Sequence, residues 1–156
     1  PAEPWLFDFY KPFGYEPFFF VEKHEITREG DGILPRRLTQ ADIPQLAALY
    51  EAHTAPCRIV RDAAYWQAQI AMFDALAKGV YGWFDGEKLS ACAFCWEDNA
   101  QEALGMTPAQ AQGLLSVLGR DRLAVVTAGQ GAALGCIKWH EKGQDAPFGY
   151  MNLMFN

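Results

Sequence analysis

The apolar positions at the start of the chain predict a short helix that runs directly into a buried strand. Between residues 6 and 13, apolar side chains recur at spacings of three and four, which places them on one helical face. Pro12 and Gly14 end this helix, and the four bulky apolar residues 18–21 are typical of a buried strand. Such a unit is too small to bury both faces of its strand. We therefore expect it to pack against another part of the molecule.

A polar, glycine-rich segment over residues 27–35 is the best candidate for a linker. The helical periodicity that follows it extends to about residue 53. Thr39 and Asp42 are both suitable N-caps for this helix. Pro44 favours Asp42, because that choice places the proline in the first turn, where it is tolerated.

Two more helices and one β-hairpin follow from the same reasoning. Apolar stripes predict helices over residues 62–78 and 109–118, and each of them is followed by a glycine. Between these helices, the dipeptide Asp85-Gly86 separates two apolar runs. This is a favoured hairpin turn, because both of its central residues need positive φ.

The remaining segments give weaker patterns. Residues 98–105 predict a short helix or turn, and the glycine-rich loop 129–135 is interpreted as a hairpin connection. Closing strands are predicted over residues 123–127, 134–140 and 150–155. Together these elements predict an α+β fold, with a mixed and mainly antiparallel sheet covered by helices.

The length, composition and net charge of the chain exclude some classes of function. The chain has 156 residues, is 51% hydrophobic and carries a formal net charge of −6. This negative charge argues against nucleic acid as a partner, because phosphate binding needs clustered Lys and Arg. No apolar run is long enough for a membrane span and no leader pattern is visible, so we expect a cytoplasmic protein without a membrane partner. The chain begins with Pro1 rather than Met, which favours a fragment of a longer protein.

The run FYKPFGYEP, residues 9–17, resembles a signature near the end of the catalytic domain of GNAT N-acetyltransferases. The run RRLTQADIPQLAALY, residues 36–50, resembles the opening strand and helix of another GNAT unit. Both resemblances together suggest the enhanced-intracellular-survival branch, in which two such units share one chain. They imply that residues 1–27 are the C-terminal helix and strand of a first unit, and that residues 33–156 form a second, divergent GNAT-like unit.

The resemblance implies a function for the longer parent protein. This function is transfer of an acetyl group from acetyl-CoA to a small-molecule amine, by direct attack of the amine on the thioester. By position in the signature, Tyr10 would be the general acid that protonates the leaving thiolate. Periodicity alone favours the alternative, in which Tyr10 is an aromatic residue of the helix face that packs under the strand, and the signature brings the two interpretations to near parity.

GNAT enzymes hold the pyrophosphate of acetyl-CoA with a glycine-containing loop at a helix start, and the sequence shows no such loop. The resemblance places this loop before the FY helix, in sequence upstream of Pro1. We therefore expect acetyl-CoA to be bound mainly outside this chain and the fragment to be inactive alone. The alternative is a non-catalytic module that binds a small molecule or protein, or forms a homo-oligomer, and has lost its cofactor site.

Cysteines and histidines suggest no further chemistry. Cys92 and Cys95 have C-x-x-C spacing, but they lie in an apolar run typical of a strand, where residues three apart point to opposite faces. We interpret them as core residues rather than as a redox or metal site. The three histidines lack metal-ligand neighbours, so no metal site is predicted. The resemblance also raises the terminal carboxylate of Asn156 as a candidate general base.

Overall fold

The computed structural model describes residues 3–140 and 148–152 of the chain. In this part there are four α-helices: α1 Trp5–Tyr10, α2 Ile43–His53, α3 Ala63–Leu76 and α4 Pro108–Leu118. The nine strands are β1 Glu16–Thr27, β2 Arg36–Arg37, β3 Cys57–Arg58, β4 Gly79–Asp85, β5 Lys88–Trp96, β6 Asn99–Leu104, β7 Arg122–Ala128, β8 Ala132–Ile137 and β9 Gly149–Tyr150.

All nine strands belong to one mixed sheet. Its order is β2-β4-β5-β6-β7-β1-β9-β3, and β8 pairs with β1 as well. The pairs β6–β7, β1–β9 and β3–β9 are parallel, and the other pairs are antiparallel. The predicted α+β class, with a mainly antiparallel sheet and helical cover, is confirmed.

The sheet has a hydrophobic core on each face. The core under α2 and α3 contains Leu46, Trp66 and Phe73, which pack on Phe94 of the central strand β5. The core under α4 contains Leu114 and Leu115 together with small residues of β5 and β6. Cys92 belongs to the first core and Cys95 to the second, so the prediction that they face opposite sides of a strand is confirmed.

Helix α4 begins and ends as the sequence predicts. Thr107 is its N-cap and forms a reciprocal capping box with Gln110, and Pro108 occupies the first turn. Gly119 ends the helix with φ 63°, a left-handed conformation that glycine adopts without a steric penalty. These local signals are enough to predict both ends of the helix, because each one pairs backbone groups that a helix end would otherwise leave without a hydrogen bond.

The short helix or turn predicted over residues 98–105 is wrong, because this segment is strand β6. Its residues have little intrinsic preference for strands, since asparagine, glutamate and alanine are depleted there. Tertiary context decides instead: β5 pairs with β6 on one side and β7 pairs with it on the other. Such pairing is invisible to a local pattern.

The loop at residues 129–131 is not the predicted hairpin connection. Strands β7 and β8 both pair antiparallel with β1, β7 along Val21–Thr27 and β8 along Glu16–Val21. They therefore follow one another along the same partner instead of folding back on each other. A Cβ on Gly129 would lie 2.3 Å from the Glu22 side chain, so glycine lets this bulge lie close against β1.

The predicted linker is fastened to α4. Gln112 accepts hydrogen bonds from the Glu29 and Gly30 amides, and the Ile33 amide donates to the Ala109 carbonyl at 2.9 Å. From the sheet side, the Trp83 indole donates to the Ile33 carbonyl at 2.7 Å. These contacts hold residues 28–34 along the helix.

Two further boundaries differ slightly from the sequence prediction. The hairpin turn is Gly86-Glu87, because Asp85 still pairs with Lys88 in the strands. The predicted closing strand 150–155 is described only as far as residue 152, and β9 occupies Gly149–Tyr150. The rest of that prediction lies outside the described residues, as does Asn156.

The helix and the strand at the start of the chain differ in their burial. Strand β1 lies inside the sheet, between β7 and β9, with Val21 fully buried. Helix α1 has no buried residue, and the side chains of Trp5 and Phe13 are 63% and 58% exposed. The strand thus shares a sheet with the strands of residues 33–156, and the division into two GNAT-like units stays a prediction.

Candidate functional site

The parallel pair β6–β7 ends at an open cavity of about 200 Å³. The cavity is lined by His53, Ala103, Leu104, Gly105, Met106, Thr127 and Ala128. These residues lie at the carboxyl ends of both strands and at the end of α2. In sheets with parallel strands, ligands bind at the carboxyl ends of those strands. This cavity is therefore one candidate for a functional site.

A β-bulge in β6 decides which side chains face which core. Ala100 pairs with Val125 and Ala103 pairs with Thr127, so β6 uses three steps where β7 uses two. Both alanines consequently belong to the core under α4, whereas Glu102 points into the opposite core, under α2 and α3. Bulges are common next to functional sites, where they redirect a side chain.

Glu102 is the centre of a buried polar network. Its carboxylate accepts two hydrogen bonds from Arg61, at 2.5 and 3.0 Å, and one from the Tyr150 hydroxyl at 2.5 Å. Arg61 also donates to the Asn152 carbonyl at 2.7 Å. The side chains of Arg61 and Glu102 are 1% and 0% exposed. The network thus joins the α2–α3 connection, β6 and the segment after β9.

The surroundings of this ion pair are aromatic. The Arg61 guanidinium carbon lies 4.2 Å from the ring centre of Tyr50, with Tyr65 and Trp66 at 5.2 and 5.1 Å. Burial alone would lower the pKa of Arg61, but the charge and hydrogen bonds of Glu102 raise it above its usual value. Burial and the same carboxylate raise the pKa of Tyr150 above its ordinary range. Arg61 is therefore cationic and Tyr150 is neutral in the folded protein.

Tyr10 lies at the protein surface, away from this network. It is the last residue of α1 and is 36% exposed. Its ring makes edge contacts with Phe9 and Tyr15, at centroid distances of 5.2 and 5.7 Å. The ring is therefore accessible and not sealed in the core. Its role as general acid stays a prediction.

The start of α4 does not fit a bound pyrophosphate, although it follows the cavity between β6 and β7. Pro108 has no N–H, and the Gln110 amide donates to the Thr107 hydroxyl at 3.3 Å. The Thr107 amide is taken by the Gln110 side chain at 2.8 Å. The segment from Gly105 to Gln112 also contains no Lys or Arg. Helix N-termini bind phosphate through free backbone amides, and most of the amides at this N-terminus already donate hydrogen bonds within the chain.

The cysteine pair is inert. Cys92 and Cys95 are both fully buried. Burial raises the pKa of Cys95 to about 12 and that of Cys92 well above its usual value, so neither forms a thiolate at neutral pH. Among the described residues, no cluster of three or more His, Cys, Asp and Glu could hold a metal ion.

Most of the aromatic strand residues belong to the core. Phe94 and Trp83 are buried, one in each core. Phe84 is partly buried against the core under α2 and α3, and the guanidinium carbon of Arg36 lies 4.0 Å from the centre of its ring. Trp139 donates from its indole to Glu16, which is an exposed residue.

Across the described ranges, no helix has the length and apolar character needed to cross a membrane.

Comparison with known proteins gives one structural likeness. No protein-family model matches the sequence, and no curated protein matches it. The fold is similar to a crystal structure of a conserved protein of unknown function from Enterococcus faecalis V583, described as a probable N-acyltransferase. The TM-score is 0.51 at 14% identity, over 84% of this chain and 38% of that one. The chain thus spans well under half of that protein and shares its fold.

The sequence did not reveal the Arg61–Glu102 pair. Forty-one positions separate the two residues, and neither belongs to a recognisable motif. The local signal is weak: Glu102 is the single charged residue of Asn99–Leu104, a segment whose pattern does not predict a strand. Recognising β6 would have been the first step, because a glutamate on a central strand needs a buried partner.

Proposed function

We propose that this chain is part of an acyltransferase of the GNAT type, which moves an acetyl group from acetyl-CoA to an amine. The observation that carries the proposal is the parallel pair β6–β7, open at its carboxyl ends, in a fold similar to that of a probable N-acyltransferase. An open parallel pair provides a cleft in which an extended thioester and an acceptor can meet. A cytoplasmic location belongs to the same proposal.

In this proposal, Tyr10 donates a proton to the leaving thiolate while the amine attacks the thioester carbon. Its position at the end of α1 and its accessible ring are compatible with that role. Acid catalysis of this kind contributes about 10²–10⁴-fold to a rate. Tyr10 works only if another part of the full-length polypeptide brings the thioester sulfur within hydrogen-bond distance of its hydroxyl.

The start of α4, which is capped by its own side chains, supports a division of labour between two parts of the longer protein. Because the amides at the start of α4 are paired internally, this helix N-terminus offers no place for the pyrophosphate of acetyl-CoA. We propose that an upstream unit binds acetyl-CoA and that residues 33–156 support the acceptor side. The 156-residue chain alone is then inactive.

The alternative is a non-catalytic binding or dimerisation module, and one observation favours it. Helix α1 and the turn that follows it expose a group of aromatic side chains: Trp5, Phe9, Tyr10, Phe13 and Tyr15. Contiguous exposed apolar surface of this kind marks interaction sites. On this alternative, Tyr10 is an interface residue and carries no proton.

Replacing Tyr10 with phenylalanine in the full-length polypeptide separates the two functions. If Tyr10 is the general acid, we expect kcat to fall at least about 100-fold with an unchanged circular dichroism spectrum. The assay follows release of free thiol from acetyl-CoA with a panel of primary amines. Phe9→Leu is the matched control, since it alters the same aromatic group without removing a hydroxyl.

Unchanged turnover in the Tyr10→Phe variant would remove the general-acid role. If Tyr10→Phe and Phe9→Leu both leave turnover unchanged but weaken self-association, measured by sedimentation velocity, the interface function is supported instead. Turnover by the isolated 156-residue chain would contradict the division of labour.

A further inference from the structure

Two cavities beside α2 share His53 as a lining residue and are together called the α2 cleft: the cavity at the end of β6 and β7, and a larger one. The larger cavity, of about 460 Å³, lies between α2 and the β4–β5 hairpin. It is lined by Gln45, Ala48, Leu49, Ala52, His53, Asp85, Lys88, Leu89 and Ser90. His53 belongs to both cavities. From Gln45 to His53 the helix rises about 12 Å, which sets the length of this α2 cleft.

The outer end of the α2 cleft is held by hydrogen bonds. Gln45 accepts from the Leu89 amide at 2.6 Å and donates to the Glu87 carbonyl at 3.1 Å, which ties α2 to the edge of β5. Along the helix, the small side chains of Ala48 and Ala52 leave the space open. The cleft is therefore shaped before any ligand arrives, which lowers the entropic cost of binding.

The inner end brings His53 against the strand ends. Gly105 has φ +66°, and a Cβ there would lie 2.9 Å from Nε2 of His53 and 2.7 Å from the Ser90 carbonyl. Glycine at this position lets the imidazole approach the end of β6. The other described residues that line the inner cavity are apolar apart from Thr127, and none of them is Lys or Arg.

The polar groups at this end favour a ligand that donates hydrogen bonds. A neutral imidazole, a hydroxyl and carbonyls at strand ends all accept hydrogen bonds. The charged groups that face the cleft are Asp85 and Lys88 of the hairpin, both in its outer part. A cation at the inner end therefore meets acceptors and no fixed positive charge, and the net charge of −6 favours its approach.

From these features we propose that the α2 cleft binds a primary amine carried on an apolar chain, with the ammonium group at His53 and the chain along Ala52 and Ala48. His53 accepts a hydrogen bond from the ammonium, and Leu49 and Leu89 contact the chain. That this amine is the acyl acceptor rests on the proposed function. The binding site itself does not.

The test is a titration of the isotope-labelled 156-residue chain, followed by nuclear magnetic resonance. The probes are n-hexylammonium chloride, 1-hexanol and sodium hexanoate, which share one chain and differ in charge. We expect hexylammonium to shift the His53 ring and the Ala48 and Ala52 methyl signals saturably. Its dissociation constant should be at least tenfold lower than that of either other probe.

Variants locate the binding. Ala52→Leu fills the cleft and should weaken hexylammonium binding at least tenfold, whereas Ala71→Leu, at an exposed position of α3, should not change it. His53→Leu should weaken hexylammonium binding and leave 1-hexanol unaffected. The inference is overturned if hexylammonium gives no saturable shift at His53, if hexanoate binds as tightly, or if Ala52→Leu has no effect.

The two proposals fail separately. Amine binding in the cleft, without acyl transfer by the full-length polypeptide, would leave the site standing and remove the transferase function. Acyl transfer to amines that do not shift the His53 signals would remove the cleft as the acceptor site.

Discussion

Replacing Arg61 with methionine is expected to lower the free energy of unfolding by about 3–5 kcal/mol. The variant removes the cation from the Glu102 carboxylate on a central strand, and of the donors in the described part of the chain Tyr150 remains. Removing one partner of a buried pair costs far more than the pair itself contributes, because the remaining charge is desolvated and uncompensated. Urea unfolding at pH 7, followed by tryptophan fluorescence, measures the loss.

A double variant identifies the cause. Arg61→Met with Glu102→Leu removes both charges at similar volume and should recover most of the lost free energy. Arg28→Met is the surface control, because the Arg28–Asp31 pair is exposed and should contribute almost nothing. A loss below about 1 kcal/mol in Arg61→Met would contradict a buried Arg61–Glu102 pair that contributes to stability.

Replacing Gly113 with alanine is expected to destabilise the protein by about 2 kcal/mol, although alanine is the better helix former. Helix propensity alone predicts a gain of about 1 kcal/mol. A Cβ on Gly113, however, would lie 1.9 Å from the Ile33 carbonyl oxygen and 2.3 Å from its carbon. Both atoms are backbone, so residues 28–34 must move off α4, at a cost of about 3 kcal/mol.

The same change tests whether residues 27–35 act as a free linker. If they did, Gly113→Ala would stabilise the chain. Gly30→Ala is the matched control, since a Cβ there meets nothing within 4 Å, and its effect should be within about 0.5 kcal/mol. Hydrogen exchange at the Ile33 amide, which donates to Ala109, should accelerate in Gly113→Ala alone.

The parts of the fold that were predictable from the sequence are those that local chemistry determines. The capping residues Thr107 and Gly119 set the ends of α4, and the alternation along β5 placed Cys92 and Cys95 on opposite faces. Each of these features depends only on residues that are close together in the sequence. No partner distant in the sequence is needed to recognise it.

The parts that were missed depend on contacts between distant segments. Strand β6 exists because β5 and β7 pair with it, and residues 28–34 lie on α4 because Gly113 admits the Ile33 backbone. A local pattern contains neither fact. For the same reason no local pattern joins Glu102 to its partner Arg61, which precedes it by 41 residues.

The candidate site residues divide in the same way, into those that a local motif identifies and those that only the fold brings together. Tyr10 was found through a short motif, and its position at an accessible surface leaves its proposed role open to experiment. His53 carried no motif, and only the fold brings it to the ends of β6 and β7. The self-capped start of α4 required the side-chain geometry of Gln110, although the absence of a phosphate loop was readable from the sequence.

The decisive experiment incubates the purified full-length polypeptide with acetyl-CoA and hexylamine and measures the products by mass spectrometry. If the chain belongs to an acyltransferase, N-acetylated hexylamine and free coenzyme A form in equal amounts, well above a heat-denatured control. A folded polypeptide that binds the amine but forms no acetylated product, with hexylamine or any other amine tested, would contradict the proposed acyl transfer.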